Sequence, residues 1–320
     1  MLRYFIDLLA IRWNRRAGGI TALKLFSKIR NHTLRREKVI FDYSFIKYAN
    51  SLPISKRVNR ESKSQAIFVA TKKDFVTLPF AISSVLQNVG IPKSEILVVI
   101  PESYTQDLSK ILVQYALTDV RVITETELIP GETIRLLQNS MGSRFGWGLQ
   151  QLLKIQAVLT SKADFIFLCD ADTIILNPRD WFNPKKLLLF PTFERNPVYY
   201  QFLQNSFNFG GNPSSSFISH HMIIHKSILK EALGKFTILT IEDLVETVLR
   251  NANFQSSSPF SLDYEFYAQY VSVFHRDEIE FEKWSNIGIS ASHFKYFQRS
   301  RIFRFFLTKN FQSVSFHSWS

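Results

Sequence analysis

The feature that most limits the fold is the run DFIFLCD (164–170), in which five consecutive apolar residues lead straight into Asp170-Ala171-Asp172. A strand without polar alternation is buried on both faces, which requires a sheet with helices on either side. Shorter apolar runs precede it at 66–71 (AIFVAT), 95–101 (EILVVIP) and 120–124 (VRVIT), and helical periodicity separates them at 79–88 and 104–117. A further helical stretch, 149–160, comes just before the central run. This alternation predicts an α/β fold with a mixed, mostly parallel sheet flanked by helices. Ligands of such sheets collect outside the carboxyl ends of the strands, so Asp170 and Asp172 stand where a ligand is expected. The second half is less regular, with a loop at 210–217, a strand at 217–225, helices near 227–233 and 241–250, and another helix from Asp263.

Two carboxylates two residues apart at a strand end can share one divalent cation through hard oxygen ligands. Mg²⁺ or Mn²⁺ held there would stabilise a departing diphosphate without any proton transfer. The chain has only 11 glycines, with Gly-Gly pairs at 18–19 and 210–211 alone, so no glycine-rich loop is available to cradle phosphate through backbone amides. Gln150, Gln151 and Lys154 fall at helical spacings of three and four and can share a face, although the polar side of an amphipathic helix has the same spacing. His220 and His221 lie in a strand-like alternation, so one points to each face and one of them is structural. Zinc binding by His221 and His225 lacks further ligands. Asp263 and Glu265 open a helix, where a carboxylate can take a hydroxyl proton or simply complement the helix dipole.

With 320 residues and 46% hydrophobic content, the chain can bury one large core in one or two domains. Its formal charge of +12 sits at the ends. Residues 1–60 carry 14 Lys and Arg against 3 Asp and Glu, a net of +11, and residues 283–320 carry 6 basic and no acidic residues, which leaves 61–282 at −5. That distribution excludes a basic nucleic-acid groove through the main domain and fits contact between the termini and an anionic membrane surface. A single cysteine, Cys169, excludes an intrachain disulfide and points to a reducing compartment. The opening MLRYFIDLLAIRWNRR falls short of the ~20 apolar residues of a spanning helix and lacks a cleavage site, so a cytoplasmic protein, peripheral to the inner face of a membrane, is expected.

The segment ADFIFLCDADTIILNP resembles the Asp-x-Asp region of GT-A glycosyltransferases. RFGWGLQQLLKIQA (144–157), SHHMIIHKSILKEAL (219–233) and SLDYEFYAQY (261–270) add to a similarity with bacterial GT-A-like proteins that covers roughly 65–295. The resemblance implies that Asp170 and Asp172 bind a metal, Mn²⁺ or Mg²⁺, and the nucleotide of a nucleotide-diphosphate sugar. It places the end of the first strand, Thr71, Lys72 and Asp74, near base and ribose. It makes Arg144 a second cation for the diphosphate and directs Gln150, Gln151 and Lys154 towards donor sugar or phosphate. It assigns His220 and His221 to the sugar or acceptor pocket, His293 to the place of a late metal-binding histidine, and Glu265, with Asp263 as alternate, to the acceptor's base.

The expected layout is a basic extension and linker at 1–64, a GT-A-like domain at 65–300 and a basic aromatic tail at 301–320. The expected activity is sugar transfer to a hydroxyl of a glycan or glycolipid in cell-surface or secreted glycan assembly. Two other readings fit some of the same residues: a haloacid-dehalogenase-like phosphatase with Asp170 as nucleophile and Asp172 as acid/base, and a carbohydrate-binding protein without turnover.

Overall fold

The computed structural model describes residues 63–317, apart from 183–185, 193, 212 and 214. The basic extension and linker read at 1–64 therefore lie almost wholly outside the described residues. In chain order the first half runs β1 (Ser64–Val69), α1 (Leu78–Asn88), β2 (Ile96–Ile100), α2 (Thr105–Gln114), β3 (Arg121–Thr124), α3 (Gly131–Met141), α4 (Phe145–Thr160) and β4 (Phe165–Cys169). The second half continues with β5 (Thr173–Ile175), β6 (Leu187–Leu189), α5 (Pro197–Phe207), β7 (His221–His225), α6 (Lys226–Lys235) and α7 (Ile241–Asn251). A π-helical turn (Leu262–Phe266) then leads into α8 (Tyr267–Phe274), followed by β8 (Ile279–Phe281), β9 (Asn286–Ser290), α9 (Phe294–Arg299), α10 (Arg301–Asn310) and β10 (Ser313–His317).

The main sheet has the order β3-β2-β1-β4-β7, parallel except for β7, which runs antiparallel to β4. Strand periodicity divides its side chains between two cores. Ile67, Val69, Ile166 and Leu168 face α4 and the helices of the second half, whereas Ala66, Phe68, Phe167 and Cys169 face α1 and α2. This is the two-sided burial that the unbroken run at 165–169 demands, and it makes the fold a helix-sheet-helix sandwich.

Of the segment 301–320, expected as a tail, the described residues 301–317 are instead part of the fold. Its apolar residues Phe303 and Leu307, one helical turn apart, bury one side of α10, and β10 is the middle strand of a second sheet, β5-β10-β9. β10 runs antiparallel to β5 and parallel to β9. β5 is supported on its other edge by α1: Ser84 Oγ accepts from Ile175 N at 3.0 Å, and Asn88 Nδ2 donates to Ile175 O at 2.7 Å. The backbone amide of Phe316 donates to Asp172 O at 2.9 Å, so the end of the chain fixes the loop that follows β4.

Two other expectations shift. The strand expected at 217–225 starts at His221, because His220 has a left-handed backbone, φ 62°. The helix expected from Asp263 starts as a π-turn, fixed by Gln151, whose Oε1 accepts from Leu262 N at 2.7 Å. Helices α3 and α5 were not anticipated. Val314 is fully buried at the centre of β10, so Val314→Asp is expected to destabilise the protein by about 3 kcal/mol or more in urea unfolding. An unchanged midpoint would show that β10 is dispensable.

Candidate functional site

The site is built at the carboxyl end of β4. Asp170 and Asp172 flank Ala171 in a turn closed by Thr173 N donating to Asp170 O at 3.0 Å. The start of α1 packs against this turn, with Thr77 Oγ1 donating to Ala171 O at 3.3 Å. Thr71 and Asp74 form a capping box at the end of β1, Asp74 Oδ2 accepting from Thr71 N at 2.9 Å. Burial raises the Asp74 carboxyl above its ordinary value, against the lowering effect of that hydrogen bond, and the nearby Asp172 adds to the rise.

Lys154 projects from the buried face of α4 and is only 2% exposed. Its ammonium donates to Asp170 Oδ1 at 2.5 Å, to Asp263 Oδ2 at 2.6 Å and to Tyr264 Oη at 3.3 Å. Tyr264 in turn donates to Asp170 Oδ1 at 2.6 Å. The π-turn brings Asp263 and Tyr264 together on this lysine. Burial alone would depress the lysine, but the two carboxylates outweigh it and keep it protonated. For Asp170, burial pushes the carboxyl up, and Lys154 and His220 more than reverse this, leaving it well below the usual carboxylate range. Asp263 is raised by burial despite its lysine partner.

The two adjacent histidines separate. His220 turns its Nδ1 to Asp170 Oδ2 at 3.0 Å and its Nε2 to Glu194 at 3.4 Å. Burial works against its protonation, yet those two partners lift it to about 10. His221 points the other way, into a box of Trp284, Phe190, Trp181 and Phe167, with ring centroids 4.4–5.6 Å away. Burial lowers it to about 3, so it is a neutral core residue.

On the opposite side, β10 ends at His317, whose Nδ1 lies 3.3 Å from Asp172 Oδ2, and its ring stands 5.0 Å from that of His220. Gly288 on β9 makes room for it, since a Cβ there would come within 2.8 Å of His317 Nε2. Among the described residues no three His, Cys, Asp or Glu side chains form a ready-made metal site. The donor set still suits a hard to borderline divalent cation. Ligands about 2.1 Å from one octahedral ion lie about 3 Å apart, close to the spacing of His317 Nδ1 and Asp172 Oδ2. Of the roughly four acceptor positions of a carboxylate, Asp170 uses three, which leaves one on Oδ2.

No family model matches this chain, and no curated protein matches it. Solved structures do resemble it. The mannosyltransferase Ktr4p from S. cerevisiae superposes with a TM-score of 0.50 at 10% identity, over 77% of this chain and 80% of that one. The chain has the GT-A glycosyltransferase fold. Mouse xyloside xylosyltransferase 1 gives a TM-score of 0.46 at 13% identity, over 80% of this chain and 98% of its own. The galactosyltransferase LgtC gives 0.41 at 11% identity, over 79% and 86%.

Within this GT-A fold the expected site residues are not all gathered. Asp170, Asp172, Lys154, Asp263 and His220 converge, with Thr71 and Asp74 beside them. Lys72 points outward to Asp107 at 3.5 Å, Gln151 is buried as a loop anchor, and Gln150 makes one long contact, 3.5 Å, to Val69 O. Arg144 sits half-exposed in the turn before α4.

Besides Gln151, three assignments are corrected by the geometry, and the first is His221, which lies in the aromatic core and not in a sugar or acceptor pocket. Glu265 is fully enclosed: Ser216 Oγ, Phe217 N and Tyr200 Oη donate to its Oε1 at 2.6, 3.0 and 3.2 Å, and Gln269 Nε2 donates to Oε2 at 2.8 Å. It clamps the 215–217 loop and has no open side from which to take a proton. His293 stands against Tyr296, ring centroids 5.9 Å apart, and it is His317 that meets Asp172. His317, Tyr264 and Glu194 escaped the sequence reading; the alternation SVSFH at the end of the chain was the available signal for His317.

Removing one partner of a buried ion pair leaves an uncompensated charge. Lys154→Ala is therefore expected to lower unfolding free energy by about 3–5 kcal/mol in urea titrations. A loss below about 1 kcal/mol, the range of exposed pairs, would show that the carboxylates do not depend on the amine.

Proposed function

We propose that the protein is a metal-dependent glycosyltransferase that moves a sugar from a nucleotide-diphosphate donor to a hydroxyl of a glycan or glycolipid acceptor, in the assembly of a cell-surface or secreted glycan. The observation that carries this reading is the Asp170–Asp172 turn at the end of β4 with His317 beside it, set in a GT-A fold. Asp172 and His317, with the remaining position on Asp170, would hold Mn²⁺ or Mg²⁺. Such an ion, when bound, supplies charge stabilisation to the departing diphosphate.

The chain's own residues do the rest. Lys154 and Tyr264 fix Asp170 in one rotamer and in its ionised form. The Thr71–Asp74 cap shapes the wall beside the turn, where base and ribose would lie. The His220 imidazolium, between Asp170 and Glu194, offers positive charge at the edge of the site. Asp263 is committed to Lys154 and Glu265 is enclosed, so neither carboxylate is placed as the acceptor's base. The acceptor proton is then expected to leave with the diphosphate, with retention of anomeric configuration.

The phosphatase alternative is not favoured by the fold similarity. The buried single cysteine, Cys169, is in keeping with a reducing, cytoplasmic compartment. Among the described residues no helix is long and apolar enough to cross a membrane.

Calorimetric titration of UDP and GDP with and without Mn²⁺ tests the reading. The wild type is expected to bind one of them in a Mn²⁺-dependent manner, and Asp172→Asn to lose at least about tenfold in affinity, in the range seen when groups that tune a metal site are removed. Gly288→Ala, which displaces the His317 ring, is expected to weaken the same metal-dependent binding. Nucleotide binding indifferent to Mn²⁺ and to Asp172 would remove the metal from the account.

A further inference from the structure

The C-terminal helices present a face that the site does not use. In α10 the residues Phe303 and Leu307 turn inward, while Ile302 and Phe305 are 62% and 65% exposed. Lys295 and Arg299 on α9 and Arg301 and Lys309 on α10 are all exposed, and none has a carboxylate within 4 Å among the described residues. Arg304 is spent on structure, donating to the carbonyls of Phe297 and Gln298 at 2.6 and 3.0 Å and so closing the end of α9. Lys309 lies over the Phe305 ring at 5.5 Å, its stem running along the apolar surface.

The charge of this face selects its partner. From 283 to 320 the chain has six basic residues and no acidic one. The N-terminal block 1–60, at +11, is not complementary to it, and the same face of a second copy would repel it. A large aliphatic and a large aromatic side chain on helices whose exposed cations have no carboxylate partner among the described residues match the headgroup and acyl boundary of an anionic bilayer, where the apolar groups are buried and the cations meet lipid phosphates. We propose that α9 and α10 form a membrane-docking surface for anionic lipid, with Ile302 and Phe305 as the inserted pair.

Docking there has a consequence for the site. Two residues after α10 the chain enters β10, whose five residues, at about 3.3 Å each, span about 16 Å and end at His317 beside Asp172. A lipid-borne acceptor would thus be offered close to the metal edge; this last step rests on the glycosyltransferase reading, whereas the docking does not.

The test is co-sedimentation of the full chain with extruded vesicles of phosphatidylcholine, alone or with phosphatidylglycerol, in EDTA and without nucleotide. Binding is expected only to the anionic vesicles and is expected to fall with salt. Ile302→Glu with Phe305→Glu should lower partitioning at least about tenfold with an unchanged melting temperature, and neutralising Arg299, Arg301 and Lys309 to Gln should lower it about fivefold per charge. Equal partitioning of the double variant and the wild type would overturn the proposal and move any lipid contact to the N-terminal block. A double variant that dissociates a dimer without changing vesicle binding would overturn it as well, by assigning the face to self-association. Neither result bears on donor or metal binding.

Discussion

The Lys154 ammonium lies almost without solvent between Asp170 and Asp263, and the arrangement of the site follows from it. An isolated ion at such a position would cost several kcal/mol to desolvate, so its carboxylates must stay close and ionised. Asp170 is therefore fixed by charge, by the Tyr264 hydroxyl and by His220, which adopts a left-handed backbone to reach it. With Asp170 so heavily engaged, the more accessible member of the pair is Asp172, and the chain positions it with a separate device, the backbone bond from Phe316 and the imidazole of His317. The two carboxylates of one short motif thus have different surroundings, Asp170 held by Lys154, Tyr264 and His220, and Asp172 beside His317.

The central architecture was legible because it depends on local signals. An unbroken apolar strand at 165–169 can be stable only inside a two-sided sandwich, and the pair of aspartates follows directly from the end of that strand. The opposite directions of His220 and His221 were expected from strand alternation, but they arise otherwise, because His220 lies outside the strand with a left-handed backbone. What could not be read came from contacts between distant segments. Glu265 and Asp263 are equally acidic and two residues apart, yet one meets Ser216 and Gln269 and the other meets Lys154. No property of residues 261–270 alone separates them.

The C-terminal segment illustrates the same limit from the other side. Its excess of Arg, Lys and Phe has the composition of a basic aromatic tail, whereas the spacing of Phe303 and Leu307 and the alternation SVSFH are those of folded elements. The residues that integrate it are few: Phe303 and Leu307 on α10, and the buried strand 313–316, whose edges β5 and β9 would otherwise be open. One segment therefore has three parts in the molecule. It completes a sheet, it brings His317 to Asp172, and it carries an exposed basic and apolar face outward. Packing and charge at this end of the chain belong to the same short segment, so its charge cannot be interpreted apart from its packing.

The central claim is that Asp172 and His317 jointly hold a divalent ion against a nucleoside diphosphate. Pulsed electron paramagnetic resonance of Mn²⁺ bound to the protein with UDP or GDP addresses it directly. The account predicts phosphorus coupling from the diphosphate together with a nitrogen coupling that disappears in His317→Gln. Mn²⁺ that keeps only water and phosphate ligands, with no imidazole nitrogen in the wild type, would contradict it.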